Sequence, residues 1–370
     1  MKRQRILPAK FFMMMLVLVM VFMAASTASA QTIVLLHTFD TEDAFDPTPI
    51  IEPGSPRFSG VIAQGRDGNL YSATPAGGTG GGAIYQITPA GALGWVISFS
   101  GSGPDGVEAV GGLTLGTDGN FYGTTISGGA SNLGTIFKVS SSGVFTPELH
   151  SFNGNDGAFP YAPPVEGRDG NFYGLTQQGG TSAGAAYKIT PAGVFTLLSS
   201  VPELPEAPLV LATDGNFYGT ATGGGTLGYG TVFRMTSGGA VTTIHTFDQT
   251  NGSVPVGPVI QGTDDLLYGT TSAGGASGDG VVFKLTTGGK FNLLHTFSGS
   301  DGSAPLGGVV QASDGNFYGV TSSGGGLGFG AMYKITSTGA FTLLASFDKT
   351  NNGTGPQLTL VQHTNGSLYG

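Results

Sequence analysis

A short motif, Asp-Gly-Asn-aromatic-Tyr-Gly, returns along the chain at nearly constant intervals, and no other feature limits the fold so sharply. It appears first as Asp67-Gly68-Asn69-Leu70-Tyr71, then at residues 118–123, 169–174, 214–219 and 314–319, with degenerate copies starting at Asp264 and Asn365. The steps are 51, 51, 45, 50, 50 and 51 residues. A repeat of about 50 residues is one supersecondary unit that must stack on its neighbours to bury its apolar surface.

Four segments of strand length recur within each unit in one order. Segment a is apolar (60–64, 112–115, 209–212, 258–261, 308–311), and segment b is the motif's own Phe-Tyr-Gly-Thr-Thr, as at 121–125. Segment c follows at 136–139, 187–190, 232–236, 282–286 and 332–336, and segment d at 145–152, 195–201, 241–247, 291–297 and 341–347. Asp-Gly joins a to b, Gly-Gly-rich loops join b to c, and Ser-Gly or Ala-Gly pairs join c to d. All are residues that tolerate the positive φ of hairpin turns. Four antiparallel strands per 50 residues describe a β-propeller blade, whereas β-helix coils and leucine-rich repeats need shorter periods. With 67 Gly and 20 Pro, the chain cannot supply the helices of a helical repeat. The fold class is therefore all-β, a seven-bladed β-propeller of four-stranded repeats with segment a innermost.

Segments a, b and d each occur seven times, the first d being residues 32–39, but c occurs only six times. Six blades are complete, from residue 60 to 347. The seventh combines 358–362 and 367–370 with the N-terminal 32–39, so the ring closes by joining chain ends and leaves an incomplete blade. Residues 33–38 are expected to slide inward against Leu368-Tyr369, because unpaired strand groups are costly when buried. The sequence stops inside a motif at Tyr369-Gly370, which reads as a truncated C-terminus.

Residues 1–30 read as a signal peptide: Lys2, Arg3, Arg5 and Lys10 precede an apolar run at 11–25 and an Ala28-Ser29-Ala30 cleavage site. The run is short for a membrane span, so the mature protein is a single repeat domain, 31–370, exported to the periplasm, cell surface or medium. Removing those four cations takes the net charge from −9 to −13, which disfavours nucleic acid as a partner. The chain has no Cys, which excludes disulfides, thiolate metal sites and a cysteine nucleophile. A monomer is expected.

The tandem Asp-Gly-Asn-Phe-Tyr-Gly-Thr-Thr, Gly-Gly, Gly-Thr-Val-Phe-Lys-Ile-Thr and Leu-Leu-His-Ser-Phe segments resemble the repeat of the choice-of-anchor tandem repeat GloVer-containing proteins, over residues 32–370. The resemblance implies an exported bacterial repeat protein with a C-terminal surface-sorting signal and no assigned activity. The sequence reaches Gly370 before any such signal, so the expectation is either an anchor lost with the truncation or a released protein.

The chemistry-bearing residues are mostly periodic. His37, His150, His245 and His295 share one position of segment d, which marks them as parts of the unit's construction; only His363 stands apart. Asp67, Asp118, Asp169, Asp214 and Asp314 suit Asx turns better than calcium ligation, and Tyr122, Tyr173, Tyr218, Tyr268 and Tyr318 are expected to pack between blades. Lys138, Lys188, Arg234, Lys284 and Lys334 read as solvated or paired along the blade. No catalytic motif, metal or cofactor is expected. The d-to-a and b-to-c loops emerge on one face, which carries Asp105, Asn132, Asp156, Phe159, Tyr161, Tyr229, Asp248, Asp301 and Phe329, aromatics among carboxylates that suit a glycan or a surface protein. This points to a non-catalytic binding module. A structural or adhesive surface role, and an enzyme like the streptogramin-lyase propellers, whose repeats also look like Asp-Gly-Asn followed by aromatics, are the alternatives.

Overall fold

A computed structural model describes residues 33–38, 60–101, 105–180, 184–201, 204–348 and 353–370. Residues 1–30, expected to be a signal peptide, and both ends of the first d segment lie outside them. The described residues form strands and turns without a helix.

Six sheets of four antiparallel strands follow one another as simple meanders. Blade one is β1 (Ala63–Gln64), β2 (Leu70–Thr74), β3 (Ala83–Ile87) and β4 (Leu93–Ser98); blade two is β5 (Thr114–Leu115), β6 (Asn120–Thr125), β7 (Thr135–Ser140) and β8 (Phe145–Ser151). Blade three is β9 (Val165–Glu166), β10 (Phe172–Thr176), β11 (Ala185–Ile189) and β12 (Phe195–Ser200); blade four is β13 (Val210–Leu211), β14 (Phe217–Ala221), β15 (Thr231–Met235) and β16 (Val241–Thr246). Blade five is β17 (Ile260–Gln261), β18 (Leu267–Thr271), β19 (Val281–Leu285) and β20 (Phe291–Thr296); blade six is β21 (Val310–Gln311), β22 (Phe317–Thr321), β23 (Ala331–Ile335) and β24 (Phe341–Ser346). A seventh sheet has only two strands, β25 (Val361–Gln362) and β26 (Leu368–Tyr369).

The six complete blades are those expected, but the seventh is a two-stranded sheet and not a blade closed by an N-terminal strand, because residues 33–38 are not a strand. Nor do they slide inward: a Cβ built on Gly91 would meet the Leu36 carbonyl at 2.3 Å, just as one on Gly289 would meet the Ile244 carbonyl of the fourth strand β16 at 2.1 Å. Ile33 and Leu35 pack on the apolar cluster of blade six and Leu36 on that of blade one. Burying apolar side chains between two blades therefore holds the segment at the outer position, away from β26.

Each first strand is only two residues long, shorter than its apolar segment. The residues before it meet the neighbouring blade instead: Val61 donates its N–H to the Gly111 carbonyl at 3.0 Å, and Val61 bridges both Gly112 and Thr359 in parallel. At this inner belt main chain touches main chain, and a Cβ on Gly111, Gly257 or Gly307 would lie 2.6–2.7 Å from atoms of the next blade. At the outer edge, the third and fourth strands shift register by a bulge in all six blades, which bends the exposed strand and blunts it against edge-to-edge pairing.

The core lies between blades. Each seam buries the second-strand Tyr of one blade against the next, and Tyr71, Tyr122 and Tyr268 stack on Phe121, Phe172 and Phe317 at 3.8–4.0 Å between ring centres. Tyr122, Tyr173, Tyr218 and Tyr268 are at most 1% exposed and Tyr318 6%.

A second fastening runs round the turn face in two versions. Where a first strand ends in Gln or Glu, its side chain accepts the backbone N–H of a Thr or Ser in the preceding blade's turn: Thr117 to Glu166, Thr213 to Gln261, Thr263 to Gln311, Ser313 to Gln362 and Thr364 to Gln64, at 2.7–3.1 Å. Where it ends in Leu (Leu115, Leu211), the turn carries Arg, and Arg66 and Arg168 donate to the Thr117 and Thr213 carbonyls at 2.5 and 2.6 Å. The fastening includes both seams of the two-stranded sheet, so β25 and β26 close the ring between blades six and one. His363 adds to this closure, donating from Nε2 to the Gly68 carbonyl at 2.7 Å while its Nδ1 accepts the Asn365 N–H at 3.0 Å.

Candidate ligand-binding face

The loop face is built from the ends of strands two, three and four and the connections into strand one. In each of the five connections between complete blades one residue at a matching place adopts a left-handed conformation without being Gly: Glu108, Phe159, Leu204, Val254 and Ala304, with φ of 52–63°; in the connection into β25 the place is taken by Gly355, φ 61°. A left-handed Val is a costly outlier, and what it does is join loops. The N–H groups of Glu108, Phe159, Val254 and Ala304 donate to Gly81, Leu133, Tyr229 and Asp279 in the loop of the blade before, at 2.8–3.0 Å. Their carbonyls accept from Ile126, Gln177, Ser272 and Ser322 in their own blade's loop. The face is thus a stitched rim.

Most of the carboxylates and amides expected to meet a ligand are occupied in their own loops. Asp105 accepts the N–H and hydroxyl of Ser100. Asp156 accepts Asn153 through backbone and side chain at 2.9 and 3.0 Å, Asp248 accepts the Asn251 N–H at 2.9 Å and the Thr250 hydroxyl at 2.8 Å, and Asp301 accepts the Ser298 N–H at 2.9 Å. Asn132 accepts the Gly128 N–H at 2.9 Å. Among the aromatics, Tyr161 is buried, Tyr229 packs on the cluster between blades four and five, and Phe159 is the left-handed residue of its loop. Phe329 alone of this set stands well out, 40% exposed. Beside it in kind are Leu227 and Leu327, 58% and 56% exposed on the loops of blades four and six, which the sequence reading passed over as loop residues between glycines. It also missed Glu206, 6% exposed and bonded by Gln177 at 3.0 Å; with no counterpart in other blades, it carries no periodic signal.

The repeated imidazoles are structural. His150, His245 and His295 each lie flat on the first aromatic of the next blade's fourth strand (Phe195, Phe291, Phe341), 3.8–4.2 Å away and 7° from parallel. His150 and His295 reach Asp156 and Asp301 at 3.1 and 3.0 Å. Burial pushes all three imidazoles below their ordinary value of 6.5, against the attraction of the neighbouring carboxylates.

On the opposite face, Asp67, Asp118, Asp169, Asp214 and Asp314 each accept the N–H and side chain of the Asn two residues on and the hydroxyl of the Tyr four residues on, the last at 2.6–2.9 Å. Burial acts to raise these carboxyls, but the hydrogen bonds outweigh it and hold them below 3.8. The same pairing, after burial, helps push the Tyr71, Tyr173 and Tyr218 hydroxyls up to about 12. These Asp residues are turn-builders. A cavity of about 210 Å³ opens on this face between blades three and four, lined by Arg168, Asp169, Tyr173, Leu211, Phe217 and Ser237, which is small beside ordinary ligand pockets. Among the described residues no group of three or more His, Cys, Asp or Glu could hold a metal ion.

A family model described as the Gloeobacter/Verrucomicrobia repeat matches residues 27–209 and 202–370. The chain belongs to this repeat family. No curated protein matches it. Among solved structures, this Gloeobacter/Verrucomicrobia repeat protein resembles two candidate 6-phosphogluconolactonases. The one from Bacteroides fragilis is 15% identical, with a TM-score of 0.52 over 94% of this chain and 98% of the other. The one from Bacteroides uniformis is 14% identical, with a TM-score of 0.51 over 76% and 83%. At such identity the likeness shows the fold alone.

Proposed function

We propose that this repeat protein is an exported, non-catalytic binding module that meets a glycan or a surface protein through its loop face. The supporting observation is the combination of a stitched rim with Leu227, Leu327 and Phe329 exposed upon it. Large apolar side chains displayed on a pre-ordered surface cost solubility and suit an interface anchor, and loops already ordered lose little entropy on binding. The carboxylates around them serve as supports of the loops.

Binding of the fluorescently labelled protein to a glycan array, and to intact bacteria before and after protease treatment, tests this. Saturable binding to a glycan, or to a protease-sensitive cell component, is the expected result. It should fall at least tenfold in the Leu227→Ser/Leu327→Ser/Phe329→Ser variant at unchanged melting temperature. Equal binding by that variant, or no saturable binding in either format, would overturn the assignment.

A further inference from the structure

The loops joining second to third strands in blades four, five and six match one another at a spacing of 50 residues, and they differ at two places. Leu227, Ser277 and Leu327 share the first place, and Tyr229, Asp279 and Phe329 share the second. Blade five therefore sets a polar, acidic loop between the two loops on which Leu227, Leu327 and Phe329 stand exposed. The stitching of the rim fixes the order. Val254, in the connection into blade five, donates its N–H to the Tyr229 carbonyl, and Ala304, in the connection into blade six, donates to the Asp279 carbonyl. The Asp279 carboxylate accepts the Ser303 hydroxyl of that same connection at 2.6 Å. Along this arc an apolar loop is followed by Asp248, Asp279 and Asp301, and then by a second apolar loop.

No cation balances these carboxylates on their own face. Residues 222–230, 247–257, 272–280, 297–307 and 322–330 contain no Lys or Arg. Arg234, Lys284 and Lys334 lie near the turn ends of the third strands and Lys290 in the turn beyond, and Lys284 donates to the Ser337 carbonyl in blade six's turn at 2.7 Å. The nearest imidazoles, His245 and His295, are held below 6.5 by burial, so at pH 7 they leave the negative charge uncompensated. Accepting hydrogen bonds inside a loop anchors a carboxylate without discharging it; the Asn251 N–H and the Thr250 hydroxyl hold Asp248 below 3.8.

We infer that this arc docks a cationic polypeptide segment, its Lys or Arg side chains over Asp248, Asp279 and Asp301 and its apolar side chains against Leu227 at one end and Leu327 and Phe329 at the other. The inference rests on the loop face being the binding surface, and it narrows the partner. Unbalanced negative charge on a pre-ordered rim attracts and orients a basic partner over about a Debye length, and the exposed Leu and Phe side chains supply the anchors that charge alone does not. A glycan would meet Phe329 as the one well-exposed ring of the arc, beside carboxylates already bonded within their loops. An anionic lipid surface would be repelled.

The test titrates the full chain, by calorimetry, with a synthetic peptide carrying Leu-Leu at each end and four Lys alternating with Gly between them. Saturable one-to-one binding is expected, weakening at least threefold as salt is raised from about 0.1 to 0.3 M. Twin peptides with Glu for Lys, or with Ser for Leu, should bind at least tenfold more weakly. Ser277→Lys, at an exposed position of the central loop, should weaken binding of the Lys peptide at least fivefold at unchanged melting temperature. Absent or salt-insensitive binding, equal binding of the Glu twin, or undiminished binding by Ser277→Lys would overturn the inference. If that happened while the protein still bound the glycan array or bacteria, the binding module would stand without its cationic partner; with that binding absent too, both readings fall.

Discussion

The two versions of the seam fastening allow a rescue experiment. At the seam of blades three and four, Arg168 reaches the Thr213 carbonyl at 2.6 Å and the Ala212 carbonyl at 3.3 Å, and Leu211 is part of the apolar cluster beneath. Arg168→Thr removes an exposed charge-assisted hydrogen bond, which costs about 1 kcal/mol after solvent screening. Leu211→Gln removes partly buried apolar surface at roughly 1–2 kcal/mol, so independent effects would total about 2–3 kcal/mol. Together, however, the two changes write the other version of the fastening. The new Thr N–H gains the Gln acceptor that Thr213 has in Gln261 at 2.7 Å, and the Gln amide gains the hydroxyl contact seen there at 3.2 Å. The double variant should therefore lose only about 1 kcal/mol, a coupling of roughly 1–2 kcal/mol. The cycle is measured by urea denaturation, with fluorescence and circular dichroism required to give coincident transitions. Single-variant effects that add to within about 0.3 kcal/mol would show that the pairing of Thr with Gln and Arg with Leu is not an energetic one.

Tyr122→Ala should cost about 3–5 kcal/mol, because it deletes a fully buried ring stacked on Phe172, while Tyr122→Phe should cost about 1 kcal/mol for the Asp118 hydrogen bond; a chemical denaturation series in which the two variants match would contradict the packing role. The turn carboxylates lie below 3.8 when folded, so their contribution is present above that value and is lost as pH falls through the folded values. Stability should thus be level from pH 7 to about 5 in this respect and fall below about 4; no fall in the melting temperature between pH 4.5 and 2.5 would count against it. His245, whose Nε2 is buried without a hydrogen-bond partner among the described residues, should titrate below 6.5 by NMR, and a midpoint at or above 6.5 would refute the burial argument. Asp265 takes the left-handed turn position, φ 61°, that Gly fills at residue 315 in the next blade. Asp265→Gly should stabilise by about 0.5 kcal/mol, less if the Thr213 hydroxyl contact at 2.9 Å matters, and a loss of more than about 0.5 kcal/mol would show that contact to dominate.

The strands of the complete blades were legible because each carries its own local signal. Phe-Tyr-Gly-Thr-Thr, for instance, falls on β6 and its counterpart Leu-Tyr-Gly-Thr-Thr on β18, with the turn glycines between strands where hairpins need them. Residues 33–38 mislead for a physical reason: Leu35-Leu36-His37 matches the fourth-strand pattern, but a strand exists only through a paired neighbour, and the sequence pattern of one segment cannot report whether that neighbour is there. The loop carboxylates are a different case. Asn153 with Asp156 and Ser298 with Asp301 are spaced to cap their own turns, a signal as local as the Asp-Gly-Asn turn that was read correctly, so their occupation within the loop was open to inference. Exposure of Leu227 and Leu327 was not, since it depends on how the stitched loops sit over neighbouring blades.

The inner belt has a consequence for how such proteins can diversify. Gly111, Gly257 and Gly307 sit where the main chains of adjoining blades leave no room for even a methyl group. Substitution cannot furnish those points of the ring's interior with a new side chain without first pushing the blades apart, so there the axis is closed to evolutionary experiment. Among relatives, constancy at these glycines would therefore record the demands of assembly and say nothing of ligand choice. The history of specificity should instead be written on the rim, at sites such as Leu227, Ser277 and Leu327, where successive repeats of this one chain already disagree.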